Sequence, residues 1–330
     1  MAGQAGADAR RQPRWIDYVA IARPEHWVKH VFILPGLVLA YVVHPDAGAH
    51  VARSLVLGLI AAGLLASANY VVNEALDATF DAYHPEKANR PAVTTRLSPR
   101  VVMVEYALLS SLGLFLAMRL GALFGWTGVL FLASGLAYNV RPLRLKDQPF
   151  LDVLSEAVNN PIRLTFGWSM VSPSTIPPSS LLLAFWMGGA FLMAVKRFAE
   201  YRAVVADVGR EQLVCYRRSF RGYSEESLLV SAFLYAMMSG FFLAVFLVKY
   251  RVEYVLALPF VAALFAVYLR VGLKKRSRAQ APERLLQERT LVAVVAVLVF
   301  VFLLLTFVDL PFVSQLSDPY LIPVPGAGPA

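Results

Sequence analysis

Nine apolar runs, each 17–22 residues long, occupy most of this 330-residue chain. They lie at 27–44, 54–73, 101–118, 121–138, 150–171, 180–196, 228–248, 253–271 and 290–310. A helix of about 20 apolar residues spans the hydrocarbon core of a bilayer. Water is absent there, so every backbone N–H and C=O must be satisfied within the protein, and runs of this length select helices over a barrel. The expected fold is all-α, a polytopic membrane bundle of about nine transmembrane helices. Pro35 and Gly36 interrupt the first run, and the fifth is unusually polar. Composition agrees: 16% of residues are charged, against about 25% in soluble domains. The single cysteine, Cys215, excludes an internal disulfide.

Lys and Arg mark the two membrane faces. Of 31, 26 fall beside the N-terminus and in the loops after runs two, four, six and eight, whereas only Arg53, Arg119, Lys249 and Arg251 fall on the opposite side. Arg163 lies inside the fifth run. Basic loops stay cytoplasmic, so the N-terminus is expected inside the cytoplasmic (inner) membrane and the C-terminus outside it. The net charge of +9 is then a topology signal, and no nucleic-acid partner is expected. Residues 1–26 lack the apolar core of a signal peptide and read as a polar cytoplasmic arm. Residues 27–310 form the transmembrane domain, and 311–330, rich in Pro and Gly, an external tail. The sequence leaves a homo-oligomer open.

The second run ends in NYVVNEALDATFDAYHPEKANRP. Asn73, Asp77 and Asp81 recur at i, i+4 and i+8, which aligns them on one helix face with a drift of about 40° per step. Oxygen ligands on one face at a membrane surface suit Mg2+, which takes a few carboxylates and completes its shell with water and phosphate oxygens. A solvated helix end with mixed charges is the plainer alternative, but carboxylates at a helix C-terminus oppose its dipole. Lys87 and Arg90 follow at once, placed to engage phosphates that the metal bridges. His84-Pro85 is expected to turn the chain out of the helix.

After the fourth run, Tyr138, Arg141, Arg144 and Lys146 make a basic turn, which positive-inside anchoring alone would also explain. In the fifth run Asp152, Glu156, Asn159 and Arg163 recur at spacings of four, three and four, a polar stripe. Ionisable groups inside a span are costly and face a bundle interior or a wet cavity. A structural Glu156–Arg163 ion pair is the alternative. Pro161 is expected to bend this helix. The loop after the sixth run carries Lys196, Arg197, Glu200, Arg202 and the Arg217–Arg221 cluster, while Asp207 is isolated and no DxxxD occurs there. Cations in place of carboxylates suit a ligand with several phosphates. For the Arg217–Arg221 cluster, anionic lipid head groups are the alternative.

NExxDxxxD at the end of a second span resembles the NDxxDxxxD motif of the UbiA superfamily of intramembrane transferases, a likeness that extends over roughly residues 20–310. Glu74 departs from the usual Asp, but it lies about 100° around the helix from Asn73, so the metal ligands are expected to be spared. The Tyr138-to-Lys146 segment is similar to the one whose basic residues contact the diphosphate in that superfamily. Prenyl-transferring members carry a second aspartate-rich motif after span six, which this chain lacks. HPEKANRP, KRFAE and RRSFRGYS resemble instead the polyprenyl-phosphate (decaprenyl-phosphate) phosphoribosyltransferase branch.

The resemblance implies Mg2+-dependent transfer of 5-phosphoribose from phosphoribosyl diphosphate to a polyprenyl phosphate, with release of diphosphate. It implies catalytic roles for Asp77, Asp81, Lys146 and Glu200, with Asn73 assisting the two aspartates at the metal. Lys87, Arg90 and Arg144 would bind the diphosphate. Glu200 or Asp152 would position the ribose hydroxyls, and Lys196 and Arg197 would hold either the donor's 5-phosphate or the acceptor phosphate. Tyr138, Glu156, Asn159 and Arg163 would line the donor cavity. The alternative is a UbiA-type prenyltransferase that moves an isoprenyl group from an allylic diphosphate to an aromatic or lipid acceptor. A phosphate-ester transporter fits less well, because its binding groups would lie near the midplane.

Overall fold

The apolar runs fold as helices, and no strand forms among the residues that the computed structural model describes, namely 10–46, 48, 50–83, 87–274, 277, 279, 285 and 287–316. Helix α1 (Trp15–Ile21) leads through a 3-10 segment (Pro24–Ile33) into α2 (Leu34–Val43). Then come α3 (His50–Asp81), the short α4 (Pro91–Thr94), α5 (Pro99–Leu120) and α6 (Ala122–Asn139). The second part of the chain holds α7 (Leu151–Ala157), α8 (Asn159–Val171), α9 (Ser179–Val208), α10 (Arg210–Tyr216) and α11 (Glu225–Tyr250). It closes with α12 (Leu258–Gly272), α13 (Arg289–Phe307) and α14 (Pro311–Leu316). His84 and Pro85, and the tail beyond Leu316, lie outside the described residues.

Among the described residues, seven helices are long and apolar enough to cross a bilayer, with Val252–Gly272 taken as one. The first and fifth of the nine expected spans are broken. Trp15–Val28 and His30–Val43 meet at 50° and together would make an eighth. The fifth is divided at Val158 into α7 and α8, of 7 and 13 residues. Pro161 is the cause, because it has no N–H to offer the Ala157 carbonyl. The Asn160 side chain donates to that carbonyl at 3.0 Å, and Asn159 serves the Glu156 carbonyl at the same distance. The Asn159-Asn160-Pro161 sequence thus bends the helix without leaving a bare backbone acceptor.

Residues 10–26 of the N-terminal arm pack more closely than their polar composition suggests. Ile21 is buried, Arg11 bridges to Thr95, and the Ser98 N–H donates to the Tyr18 hydroxyl at 3.0 Å.

In lipid, apolar transfer does not drive helices together, so close packing must. α9 lies along α11, α3 along α5, and α2 along α8. The α2–α8 crossing is backbone to backbone: a Cβ on Gly36 would overlap the Leu164 carbonyl, and one on Gly167 would overlap the Ile33 carbonyl. α8 is apolar on several sides and central, as such a helix must be. Its Phe166 packs with Leu65, Phe124 and Phe131, while Trp168 joins Leu181, Phe246 and Leu305 in a separate cluster. Large side chains such as Phe233, Phe241, Phe300 and Phe307 are exposed, which suits a surface wetted by lipid.

α3 has 32 residues, a length of about 48 Å, against a hydrocarbon core of about 30 Å. Its last turns therefore project past the lipid, and these turns carry Asn73, Asp77 and Asp81.

Candidate active site

The helical period places Asn73, Asp77 and Asp81 on one face of α3, and the loop after α6 brings cations onto it. Lys146 Nζ lies 2.5 Å and Arg144 Nη2 3.0 Å from Asp77 Oδ1. Asn139, the last residue of α6, organises this contact. Its Oδ1 accepts from Asn73 Nδ2 at 2.6 Å and from Lys146 Nζ at 2.7 Å, and its backbone oxygen accepts from Arg144 at 3.0 Å. Arg144 adopts φ of 34°, a left-handed conformation that non-glycine residues seldom take. Its guanidinium lies 5.0 Å over the Phe80 ring, and that of Arg218 lies 5.2 Å from the same ring.

From the other side, Arg90 pairs with Asp81 Oδ2, and Lys87 Nζ stands 3.7 Å from Asp81 Oδ1. Asp77, Asp81, Asp147, Lys87, Arg144, Lys146 and Arg217 line a single cleft together with Phe80, and Asp147 pairs with Arg144 at 3.1 Å. Burial lowers Lys87 and Lys146 each to about 8, although Asp81 and Asp77 oppose the shift. A polyanion in the cleft would stabilise both as cations.

The donor set fits Mg2+. Two carboxylates stand one turn apart, and both Asn73 bonds use its amide nitrogen, so the side-chain oxygen keeps its acceptor capacity. Among the described residues no group of three or more His, Cys, Asp or Glu gathers as a self-sufficient metal site. Mg2+ commonly takes few carboxylates and completes its shell with substrate oxygens.

The stripe on α7 and α8 meets α9 through Arg197. This guanidinium is 2% exposed and donates to Asp152 at 3.1 Å, Glu156 at 2.8 Å and Glu200 at 3.1 Å. Asp152 is 0% exposed and also accepts from Arg217 at 3.3 Å, Ser219 at 3.1 Å and Tyr223 at 2.5 Å. Asp152 and Arg197, expected to face substrate, are therefore committed to each other and to the loop that follows α10. Burial, then the neighbouring Asp152, pushes the Tyr223 phenol upward, so it stays a donor. Glu156 accepts from Tyr138 at 3.1 Å as well, and it pairs with Arg197 rather than with Arg163. Asn159 turns back onto its own helix. The Tyr138 ring, 5.8 Å from Lys146 Nζ, joins this network to the Asp77 cleft.

Lys196 differs from its neighbour Arg197. It is half-buried beside Glu156 and Glu200, and among the described residues no hydrogen bond or ion pair holds its ammonium. Arg163 is likewise half-buried and unpaired.

Sequence reasoning missed the parts that act across the chain. Asn139 had no motif to mark it. Ser219 and Tyr223 stood within RRSFRGYS, but nothing showed that they converge on Asp152. Glu74 is 2% exposed and is held by Arg23, so it points away from the metal stripe.

The UbiA prenyltransferase family model matches residues 30–292. Decaprenyl-phosphate phosphoribosyltransferase of Mycolicibacterium smegmatis is 28% identical over 185 residues, which cover 55% of this chain and 56% of that protein. Protoheme IX farnesyltransferase of Photobacterium profundum is 27% identical over 170 residues, 51% of each. The chain thus spans about half the length of these curated relatives. A UbiA homolog from Archaeoglobus fulgidus, solved bound to GPP and Mg2+, superposes with a TM-score of 0.65 at 20% identity, covering 88% of this chain and 100% of that one. That superposition shows a shared helical-bundle fold.

Proposed function

This chain belongs to the UbiA prenyltransferase family, and on that premise we propose that it transfers 5-phosphoribose from phosphoribosyl diphosphate to a polyprenyl phosphate. The observation that carries the reading is Arg217. It comes from the loop where a prenyl-transferring member would supply a second set of carboxylates, and it lines the same cleft as Asp77 and Asp81. With Lys87, Arg144 and Lys146 it surrounds one metal-binding stripe with four cations. Such a wall suits a donor that carries a diphosphate and a further phosphate. The similarity to decaprenyl-phosphate phosphoribosyltransferases supports the same donor.

Asp77 and Asp81, assisted by Asn73, would hold Mg2+, which supplies neutralisation of charge on diphosphate oxygens. Lys87, Arg90, Arg144 and Lys146 bind the rest of that group. An acceptor phosphate oxygen forms the new bond to ribose C1 as the C1–O bond to diphosphate breaks, and the bonding pair leaves with the diphosphate. Negative charge on the leaving group grows along this path. Cations fixed by Asn139 and Phe80 stabilise it more in the transition state than in the ground state. The acceptor is already anionic at neutral pH, so no proton need leave the attacking atom. Lys196 is placed for a second phosphate, and Glu200 for ribose hydroxyls. Asp152 and Arg197 act as positioning residues that hold the Arg217 loop against α7 and α9. The distribution of basic residues supports a cleft that opens to the cytoplasm.

The test uses purified full-length protein in detergent with Mg2+ and a polyprenyl phosphate. Radiolabelled phosphoribosyl diphosphate should give lipid-soluble label, and radiolabelled prenyl diphosphate should not. The similarity to a farnesyltransferase favours prenyl transfer as the second reading, and label from prenyl diphosphate alone would establish it in place of the first.

A further inference from the structure

Two polar groups within the bundle have no hydrogen-bond partner among the described residues and lie within electrostatic reach of each other. Arg163 of α8 is half-buried. Among the described residues no carboxylate pairs with its guanidinium and no hydrogen bond uses it. His30, on the 3-10 segment before α2, is 9% exposed, and neither ring nitrogen has a hydrogen-bond partner there.

The packing brings their two elements into contact. One turn beyond Arg163, Gly167 abuts the carbonyl of Ile33, which lies about one turn beyond His30. Trp27 donates to Ser67 Oγ at 3.0 Å and so pins the 3-10 segment to α3. Tyr70 of α3 is the third wall; it interacts electrostatically with Arg163, and its ring meets His26 edge-on at 5.2 Å. Burying polar groups without partners is costly, and for a guanidinium especially so. Where native proteins keep such groups, a bound water, ion or ligand or a catalytic role accounts for them.

We infer that Arg163, His30 and Tyr70 form a second, metal-independent site for a phosphate monoester. Its chemistry follows from what is present and what is engaged elsewhere. A guanidinium, an imidazole and a phenol can all donate to phosphoryl oxygens, the guanidinium in bidentate fashion. Glu156, a carboxylate within electrostatic reach of Arg163, is already held by Arg197 and Tyr138. Tyr70 precedes Asp77 by seven residues on α3, a separation of about 10 Å along the axis. One donor molecule can span that gap, and so can a donor and an acceptor meeting between the two sites. The inference rests on the proposed reaction in this respect only: that reaction has two phosphate monoesters, the donor's 5-phosphate and the acceptor lipid's phosphate, and the site takes one of them.

The experiment separates these sources without turnover. Full-length protein in detergent with EDTA is titrated with ribose 5-phosphate and with farnesyl phosphate, using ribose and farnesol as phosphate-free controls, and binding is read by equilibrium dialysis. At least one ester should bind about tenfold or more tightly than its control, and the ester that binds identifies the source. Arg163→Gln should weaken that binding about ten- to hundredfold, the range for a lost charge-assisted hydrogen bond. His30→Ala should weaken it too, Arg163→Lys should retain part of it, and Asp77→Asn should leave it unchanged. The melting temperature of each variant without ligand reports folding independently. The site is overturned if neither ester binds the wild-type protein, if binding survives Arg163→Gln, or if binding appears only with Mg2+. Intact EDTA-resistant binding in a protein that transfers no phosphoribose would strike the proposed reaction and support the site.

Discussion

Arg23 donates to Glu74 Oε2 from Nε at 2.7 Å and from Nη2, tying the segment before the first span to the helix that carries Asn73, Asp77 and Asp81. Both residues are buried. Removing one partner of such a pair leaves a charge without compensation, at a cost of about 3–5 kcal/mol. Glu74→Ala should therefore lower the detergent melting temperature sharply. The surviving enzyme should need no more Mg2+ for half-maximal rate than the wild type. A large rise in that requirement would make Glu74 a metal ligand after all.

Asp77→Asn should reduce turnover by at least about a hundredfold, the scale expected when charge aimed at the transition state is lost. Its melting temperature should stay close to wild type, because Asp77 lies in a polar cleft and not among packed apolar groups. In the unmutated protein, EDTA should abolish transfer and Mg2+ should restore it. Full activity in EDTA would remove the metal from the mechanism.

Lys196 and Arg197 are neighbours in sequence, and their variants should behave differently. Lys196→Met should raise the apparent KM for one phosphate substrate about ten- to hundredfold without changing thermal stability. Arg197→Ala removes the one cation that Asp152, Glu156 and Glu200 share and should cost about 3–5 kcal/mol of stability, with loss of folded protein. Equal thermal effects in the two variants would contradict this division of labour.

A reporter inserted after Lys274 should behave as cytoplasmic, and one joined after Ala330 as external. The expectation comes from the 26 basic residues on one side against four on the other. Protease protection in sealed vesicles checks it, and finding both reporters on one side would change the number of crossings by one.

Local periodicity is what made part of this molecule readable from sequence. Asn73, Asp77 and Asp81 share one helix, so their common face followed from 3.6 residues per turn alone. The helical bundle followed from run length. The cleft around the stripe did not, because Lys146 reaches Asp77 across 69 residues and Arg217 reaches Asp152 across 65. No period links such positions. The fifth span shows the same limit. Its stripe predicted that Glu156 and Asp152 face inward, and they do, but the partner that takes both is Arg197 of another helix. The broken helix itself was signalled by Pro161, whereas the service that Asn160 performs for Ala157 became visible only in three dimensions.

Asp152 accepts from Arg197, Arg217, Ser219 and Tyr223, groups drawn from α9 and from the loop that returns over it. To move that loop would strip three of the four donors from a fully buried carboxylate, so Arg217 would meet a ligand already oriented. Little conformational freedom remains to be lost on binding at this wall, and affinity there should be governed by fit and charge instead of by ordering entropy. A donor analogue with one phosphate fewer would find its vacant subsite still shaped for the missing group, and it should be rejected through unmet hydrogen bonds rather than through a failure to close.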